Sequence, residues 1–175
     1  MAHLPNEPCR TLAEAATVLD LPRGTIGSLA MRGSLEPFMH LGITRLPYGS
    51  RTSPRFSRDA LCAMAILRAA MPHGIPPELP GIAAQAVVMW KTHRPHVTQL
   101  RIAYVDGPNS QTIMLVDEHL MRPGTLPEDW TRMLSFNLNH LFGCVDAALE
   151  ALDEEAEASN ALTVHQPDPA ALLRA

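Results

Sequence analysis

The stretch CRTLAEAATVLDLPRGTIGSLAMRGSLEP, residues 9–37, contains two short apolar periods separated by Asp20-Leu21-Pro22. Thr11 and Glu14 have the spacing of a capping box, which predicts that a first helix begins directly after Thr11. The apolar face of that helix is formed by Leu12, Ala15, Ala16 and Leu19. Two helices this short, joined by a turn of about three residues, are typical of a helix-turn-helix.

The second helix of the pair is short and carries polar side chains that point outward. Pro22 suits its first turn, and Gly33 predicts its end. Arginine can pair with guanine, and serine or threonine can reach bases or phosphates, so we assign as DNA contacts Arg23, Thr25, Ser28 and Arg32. Gly24 and Gly27 leave the backbone bare for a phosphate, although each weakens a helix by about 1 kcal/mol. The alternative is an ordinary helical hairpin with arginines on its surface.

A basic segment rich in proline and glycine lies between Glu36 and Asp59 and contains no acid. Its arginines are Arg45, Arg51, Arg55 and Arg58. The prolines and glycines exclude a long helix, so we predict a small hairpin from residues 38–41 and 43–46 and a last strand at 55–56. Unopposed arginines on such a loop can clamp phosphates, although an isolated run of charge is more often a solvated loop.

Two further helices are predicted in the first half of the chain. Ser57 is placed to cap the third helix, which ends near residues 71–74, where proline and glycine follow methionine. The fourth helix follows GIPPELP and has apolar residues at helical spacing from Leu79 to Trp90. We therefore place a first domain at residues 1–92.

The order of the segments TLAEAATVLDLPRGTI, RGSLEP and SPRFSRDALCAMAILRAAMPHGI resembles the winged-helix DNA-binding domain of MerR-type regulators and their excisionase-like relatives. In that family a helix of the form xLAEAAxxLGV precedes a recognition helix, an RxGLLxP turn, a wing and an RYS/TxxDLxxLxxI helix. The resemblance covers about the first half of the chain. It implies that Arg23, Thr25 and Ser28 are recognition-helix contacts and that Arg51 and Arg55 contact the DNA backbone from the wing. This chain departs from the family in two ways: GSLAMRG replaces an aromatic RYYE-like run, and the wing is longer.

The second half of the chain begins with a linker, KTHRPHVTQ. The segments LRIAYVD and QTIMLVDEHL flank GPNS and predict a β-hairpin. A long helix is predicted over residues 127–158. Its heptad-like seam, which could pair two chains, consists of Leu134, Leu138, Leu141, Val145 and Leu152. The seam could also pack on the hairpin within one chain, and we expect both uses. A dimerisation or effector region is therefore placed at residues 93–160 and a flexible tail at 161–175.

Charge is divided unevenly along the chain. Up to Ile75 there are eight arginines and five acids, whereas from Pro76 onward there are six basic residues and thirteen acids. The basic half favours a polyanionic partner, and the acidic half leaves room for a protein partner. The sequence as a whole predicts an α+β fold, mainly α, with an N-terminal winged helix-turn-helix followed by a β-hairpin and a long C-terminal helix.

The composition is that of a protein with a real core, because 46% of the residues are apolar. No apolar run reaches the length of about 18 residues that a membrane span needs, and the N-terminus does not have the pattern of a secretion signal. The three cysteines, Cys9, Cys62 and Cys144, are odd in number and far apart, which favours a reducing compartment. We expect a cytoplasmic protein with no membrane association.

Sequence motifs of catalysis and of cofactor binding are missing from the chain. There is no Gly-rich phosphate loop, no nucleophile elbow and no CxxC pair. His93 and His96 have a two-residue gap, but no cysteine lies near them, so we expect no metal. The protein is therefore expected to be neither an enzyme nor a cofactor carrier.

Together these features predict a sequence-specific transcription regulator of bacterial or phage type that binds double-stranded DNA as a homodimer. One alternative is a phage excisionase or a DNA-packaging protein of the small-terminase type. A second is a protein-interaction module whose winged helix no longer binds DNA and whose acidic half recruits a partner.

Overall fold

The computed structural model describes residues 9–44, 54–75, 77–92, 98–105, 111–116 and 132–164. The α-helices within these ranges are α1 (Leu12–Val18), α2 (Arg23–Met31), α3 (Arg58–Ala70), α4 (Leu79–Thr92) and α5 (Leu138–Val164). The strands are β1 (Ile43–Thr44), β2 (Arg55–Phe56), β3 (Gln99–Val105), β4 (Gln111–Val116) and β5 (Arg132–Asn137). Short 3-10 helices cover Glu36–Leu41 and Met71–His73. The fold is mainly helical, with two small antiparallel sheets and a long C-terminal helix.

The start of α1 is fixed by the capping box that the sequence predicts. The Thr11 hydroxyl accepts a hydrogen bond from the Glu14 backbone N–H at 3.2 Å, and the Glu14 carboxylate accepts one from the Thr11 N–H at 2.6 Å. Without these bonds the backbone N–H groups of Thr11 and Glu14 would be unpaired donors at the start of the helix. Such a cap stabilises a helix by about 1 kcal/mol.

Each helix of the N-terminal pair is followed, two residues after its last helical residue, by a residue in the left-handed backbone conformation. In α1 this residue is Asp20, with φ at 48°, and the next N–H, that of Leu21, donates to the Ala16 carbonyl at 3.0 Å. In α2 it is Gly33, with φ at 74°. Aspartate and glycine tolerate this conformation better than most residues, so each helix stops where the sequence predicts and the turn between them stays short.

The smaller sheet follows the helix pair. Strands β1 and β2 are antiparallel, with Ile43 opposite Phe56, and an isolated bridge joins Arg10 to Phe56 as well. The predicted strand at 55–56 is confirmed, whereas the prediction of an extended piece at 38–41 was wrong. Those residues belong to the 3-10 helix, because Pro37 suits its first turn and Gly42, with φ at 101°, ends it.

The larger sheet has the strand order β4-β3-β5. The predicted hairpin is confirmed: β3 pairs with β4 in antiparallel register, with Ile102 opposite Met114. On its other side β3 pairs with β5, where Ile102 lies opposite Leu134 and Leu100 lies opposite Phe136.

The predicted helix over 127–158 was wrong in its first part. Residues 132–137 form β5, and the helix begins at Leu138 and continues to Val164. Residues 127–131 lie outside the described residues. Leu134 is therefore a strand residue and not the first member of a helical seam, because pairing with β3 satisfies the backbone groups of this segment.

Helix α3 lies at the centre of the core. All of its residues from Asp59 to Leu67 are buried, and it packs against both α4 and α5. The core cluster continues through Leu100 and Ile102 of β3 to Phe142 of α5. The predicted domain boundary between residues 92 and 93 therefore crosses one continuous hydrophobic core.

Helix α5 closes this core through an aromatic pair. The rings of Phe142 and Trp90 meet edge to face with their centroids 4.7 Å apart, and the Trp90 indole N–H donates to Asn139 at 2.8 Å. Within the part of the chain that the structure describes, no helix combines the length and apolar character needed to cross a membrane.

We expect Phe142→Ala to lower the free energy of unfolding by about 3–5 kcal/mol, because it removes a fully buried ring and leaves a cavity. Urea unfolding followed by circular dichroism measures this change. Val88→Ala on α4 is the matched control, since Val88 is 43% exposed and its truncation should cost less than about 0.5 kcal/mol. Equal losses for the two variants would contradict the packing of α5 on the core.

Candidate nucleic-acid interface

One face of α2 is held by the core and the other is open to solvent. Ile26 is fully buried, and it anchors the helix. Of the residues predicted to contact DNA, Arg23, Ser28 and Arg32 are exposed, and Thr25 is half-buried. The structure thus places Arg23, Thr25 and Ser28 on α2 and Arg32 directly after its last residue, with both arginines at the surface.

Neither arginine of α2 has an ion-pair partner among the described residues. Arg68 of α3 is different, because its guanidinium lies 2.8 Å from the Asp20 carboxylate. The exposed face of α2 therefore carries positive charge that the described part of the chain does not neutralise, and such charge attracts polyanions.

Two glycines of α2 have no packing reason to be glycine. A methyl group built on Gly24 or on Gly27 would meet no atom within 4 Å. Neither residue has a positive φ, so the backbone conformation does not require glycine either. Each glycine costs about 1 kcal/mol of helix stability relative to alanine. Among the described residues, neither packing nor backbone conformation requires glycine at these two positions.

The base of the predicted wing is well ordered by local hydrogen bonds. The Thr44 hydroxyl accepts the Arg55 backbone N–H at 3.1 Å, and the Arg55 guanidinium donates to the Cys9 carbonyl at 3.1 Å. Arg55 remains exposed at this position. Arg45 and Arg51, the other predicted wing contacts, lie outside the described residues.

Arg58 is engaged elsewhere in the chain. Its guanidinium binds both oxygens of Asp146 on α5, at 2.5 and 2.7 Å, and lies over the Trp90 ring at 5.5 Å from the centroid. The hydrogen bonds that Arg58 donates to Asp146 raise the pKa of Arg58 against the opposing effect of burial. Sequence reasoning grouped Arg58 with the phosphate contacts, but its partner lies 88 positions away and was not foreseen.

Arg10 forms a second ion pair between an arginine and an aspartate of α5, and this pair was not predicted from the sequence. Its guanidinium binds the two oxygens of Asp153 at 2.7 Å each, and this hydrogen bonding raises the pKa of Arg10. Asp146 and Asp153 are two turns apart on α5, so one face of that helix holds both arginines. The only local signal was the basic character of Arg10 next to the capping residue Thr11.

The five residues predicted as a dimer seam have different environments. Leu138 and Val145 are 0% and 2% exposed within the single chain, so their side chains already have partners. Leu134 lies on β5, and the half-buried members are Leu134, Leu141 and Leu152. A dimer contact through Leu138 or Val145 would require the core to open.

No three potential metal ligands of the His, Cys, Asp and Glu types come together within the described ranges. His93 and His96, the pair noted in the sequence, lie outside those ranges. Cys9, Cys62 and Cys144 are not in disulfide bonds.

The chain matches no protein-family model and no curated protein. The candidate site is therefore defined by its own geometry: α2 with an exposed surface, two glycines and an exposed arginine at each end, and the strand pair β1–β2 with the exposed Arg55.

We expect Asp146→Asn to lower the free energy of unfolding by about 1–2 kcal/mol, because the half-buried Arg58 loses its two short bonds and keeps only the ion pair with Asp59 at 3.5 Å. Asp153→Asn is the matched control. Its carboxylate is 58% exposed, so the loss should stay below about 1 kcal/mol. Urea unfolding at neutral pH measures both, and a larger loss for Asp153→Asn would contradict this ranking.

Proposed function

We propose that this protein is a sequence-specific transcription regulator that binds double-stranded DNA through a winged helix-turn-helix, with α2 as the recognition helix. The resemblance of the first half of the chain to MerR-type domains supports the proposal. So does the order of the elements, in which a tight helix pair is followed by a two-stranded sheet and the long buried helix α3.

The observation that carries the proposal is the exposed face of α2. Arg23 at the start of α2 and Arg32 directly after its end are exposed and have no acidic partner among the described residues. Gly24 and Gly27 cost helix stability, and no packing contact with the described residues requires glycine at either position. A DNA duplex accounts for both features. Its bases and phosphates accept hydrogen bonds from arginine, and its backbone can come close only where side chains are absent.

The wing supplies affinity in this proposal. Arg55 is exposed at its base, and Arg45 and Arg51 belong to the segment that joins β1 to β2. Contacts between these arginines and phosphates carry no sequence information, but they fix the position of α2 in the groove.

A homodimer is part of the proposal, because two half-sites are read by two copies of a helix-turn-helix. Of the five seam residues, Leu152 is the best candidate for a contact between copies. It lies on the outer part of α5 beyond Phe142 and Val145, and it is only half-buried.

One observation favours the alternative of a protein-interaction module. Asp146 and Asp153 occupy Arg58 and Arg10, which removes two cations of the basic half from phosphate binding. An interaction module predicts no specific DNA at all. A packaging protein would bind DNA as a larger ring, which light scattering of the complex distinguishes from a dimer.

Selection from random duplexes, followed by fluorescence anisotropy against competitor DNA, tests the function. We expect an enriched sequence that the intact protein binds in the presence of bulk competitor. Failure to enrich any sequence, with no binding beyond that of competitor DNA, would overturn the proposal.

Substitution of Gly27 in α2 tests whether a phosphate comes close to this helix. We expect Gly27→Ala to raise the free energy of unfolding by up to about 1 kcal/mol, since alanine favours a helix. The same change should weaken binding of the selected duplex by about tenfold, because the added methyl prevents one close phosphate contact.

Gly143→Ala is the matched control for this test. Gly143 lies in α5, is exposed, and has equally open space around it. It should give the same gain in stability with unchanged DNA affinity. Equal affinities for the two variants would show that α2 does not approach a phosphate.

The salt dependence of DNA affinity tests the contribution of Arg23 and Arg32. We expect the double variant Arg23→Gln/Arg32→Gln to reduce the slope of log affinity against log salt concentration by about 2, because two phosphate contacts are lost. Arg68→Gln, which removes an arginine paired with Asp20, is the control and should leave the slope unchanged. A common slope for all three proteins would contradict the assignment.

A further inference from the structure

A groove with a volume of about 270 Å³ opens where the end of α3 meets the start of α5. Its apolar side is formed by Leu134, Phe136 and Leu141, and its polar side includes His73, Asn137 and His140. The groove is separate from α2 and from the wing base, so the proposed DNA contacts do not use it.

The polar side of the groove presents hydrogen-bond donors. His73 and His140 are both exposed. The His140 Nε2 lies 3.9 Å from the Cys144 Sγ, and this weak contact is one that a carboxylate can replace. The side-chain oxygen of Asn137 accepts the His140 backbone N–H at 3.0 Å, which fixes this amide and leaves its NH₂ group to donate. An imidazole N–H can also donate a hydrogen bond to a carboxylate.

The groove is also free of acids in a region that is rich in them. From Pro76 onward the chain contains thirteen acids and six basic residues, yet none of the described residues that line the groove is acidic. A carboxylate entering the groove would therefore meet two imidazoles and an amide NH₂ and no opposing carboxylate from these residues. This favours an anion over a cation as the occupant.

The apolar side of the groove indicates a second property of the ligand, which is an apolar body. Leu134 and Leu141 are half-buried, and Phe136 forms the floor with 8% of its surface exposed. Ligand sites of proteins combine such apolar walls with a few placed polar groups, and drug-sized ligands occupy about 300–1,000 Å³. A volume just below that range fits a smaller molecule.

We propose that this groove binds a small carboxylate with an apolar body, such as an aromatic or a branched aliphatic acid. The carboxylate lies between His73 and His140 and accepts from the Asn137 amide, and the apolar body lies against Leu134, Phe136 and Leu141. The proposal is independent of DNA binding, and either can fail without the other.

Benzoate is the probe for the first test, and benzyl alcohol is its neutral counterpart with the same ring. Saturation-transfer NMR on the intact protein measures both. We expect saturable binding of benzoate in the millimolar range and binding of benzyl alcohol that is weaker by about fivefold or more, because the alcohol lacks the charge. Absence of saturable benzoate binding, or equal binding of the two probes, would overturn the proposal.

Variants then locate the site. The double variant His73→Gln/His140→Gln should abolish the preference for benzoate, whereas His40→Gln should keep it. His40 is the matched control, since it is also exposed but lies on the 3-10 helix that follows α2. Retention of the preference in the double variant would place benzoate elsewhere and overturn the proposal, and the comparison of the two probes on the unmodified protein needs no variant.

Discussion

Burial of α3 on every side is the constraint on which this structure depends. Because every residue from Asp59 to Leu67 is buried, the helix has no face that can lie in water. A helix of this kind is stable only inside a larger core. Helix α4 covers one part of it and α5 another, and α5 comes from the far end of the chain. The N-terminal helix pair therefore belongs to a core that the C-terminal helix completes.

This burial also explains how the charges of the chain are divided. Asp59 is 4% exposed, and its carboxylate is balanced by Lys91 at 2.5 Å. Arg58 at the start of the same helix is balanced by Asp146, since a buried charge without a partner is costly. The arginines near the core are thus held in ion pairs within the fold. Those on α2 are left at the surface, and the proposed function rests on them.

Local features of the fold could be predicted from the sequence, and distant pairings could not. The capping box at Thr11 and the hairpin around GPNS depend on neighbouring residues, and both were predicted correctly. The strand β5 was predicted as helix, because the spacing from Leu134 to Leu141 fits a helix while the alternation of Leu134 and Phe136 fits a strand. Only pairing with β3 decides between them. The pairing of Arg58 with Asp146 was not predicted for the same reason, since the two residues are distant in sequence. The exposed residues and the two glycines of the candidate site could be named from the sequence, but the open space around Gly24 and Gly27 could not.

The proposed function requires that α2 is the surface that meets DNA. Hydrogen–deuterium exchange of the intact protein, with and without a duplex selected from random sequence, measures this contact. We expect slower exchange over α2 and over residues 43–56 when the duplex is added, with no change in the second half of α5. Unchanged exchange in α2, or protection confined to α5, would contradict the assignment of α2 as the DNA-binding surface.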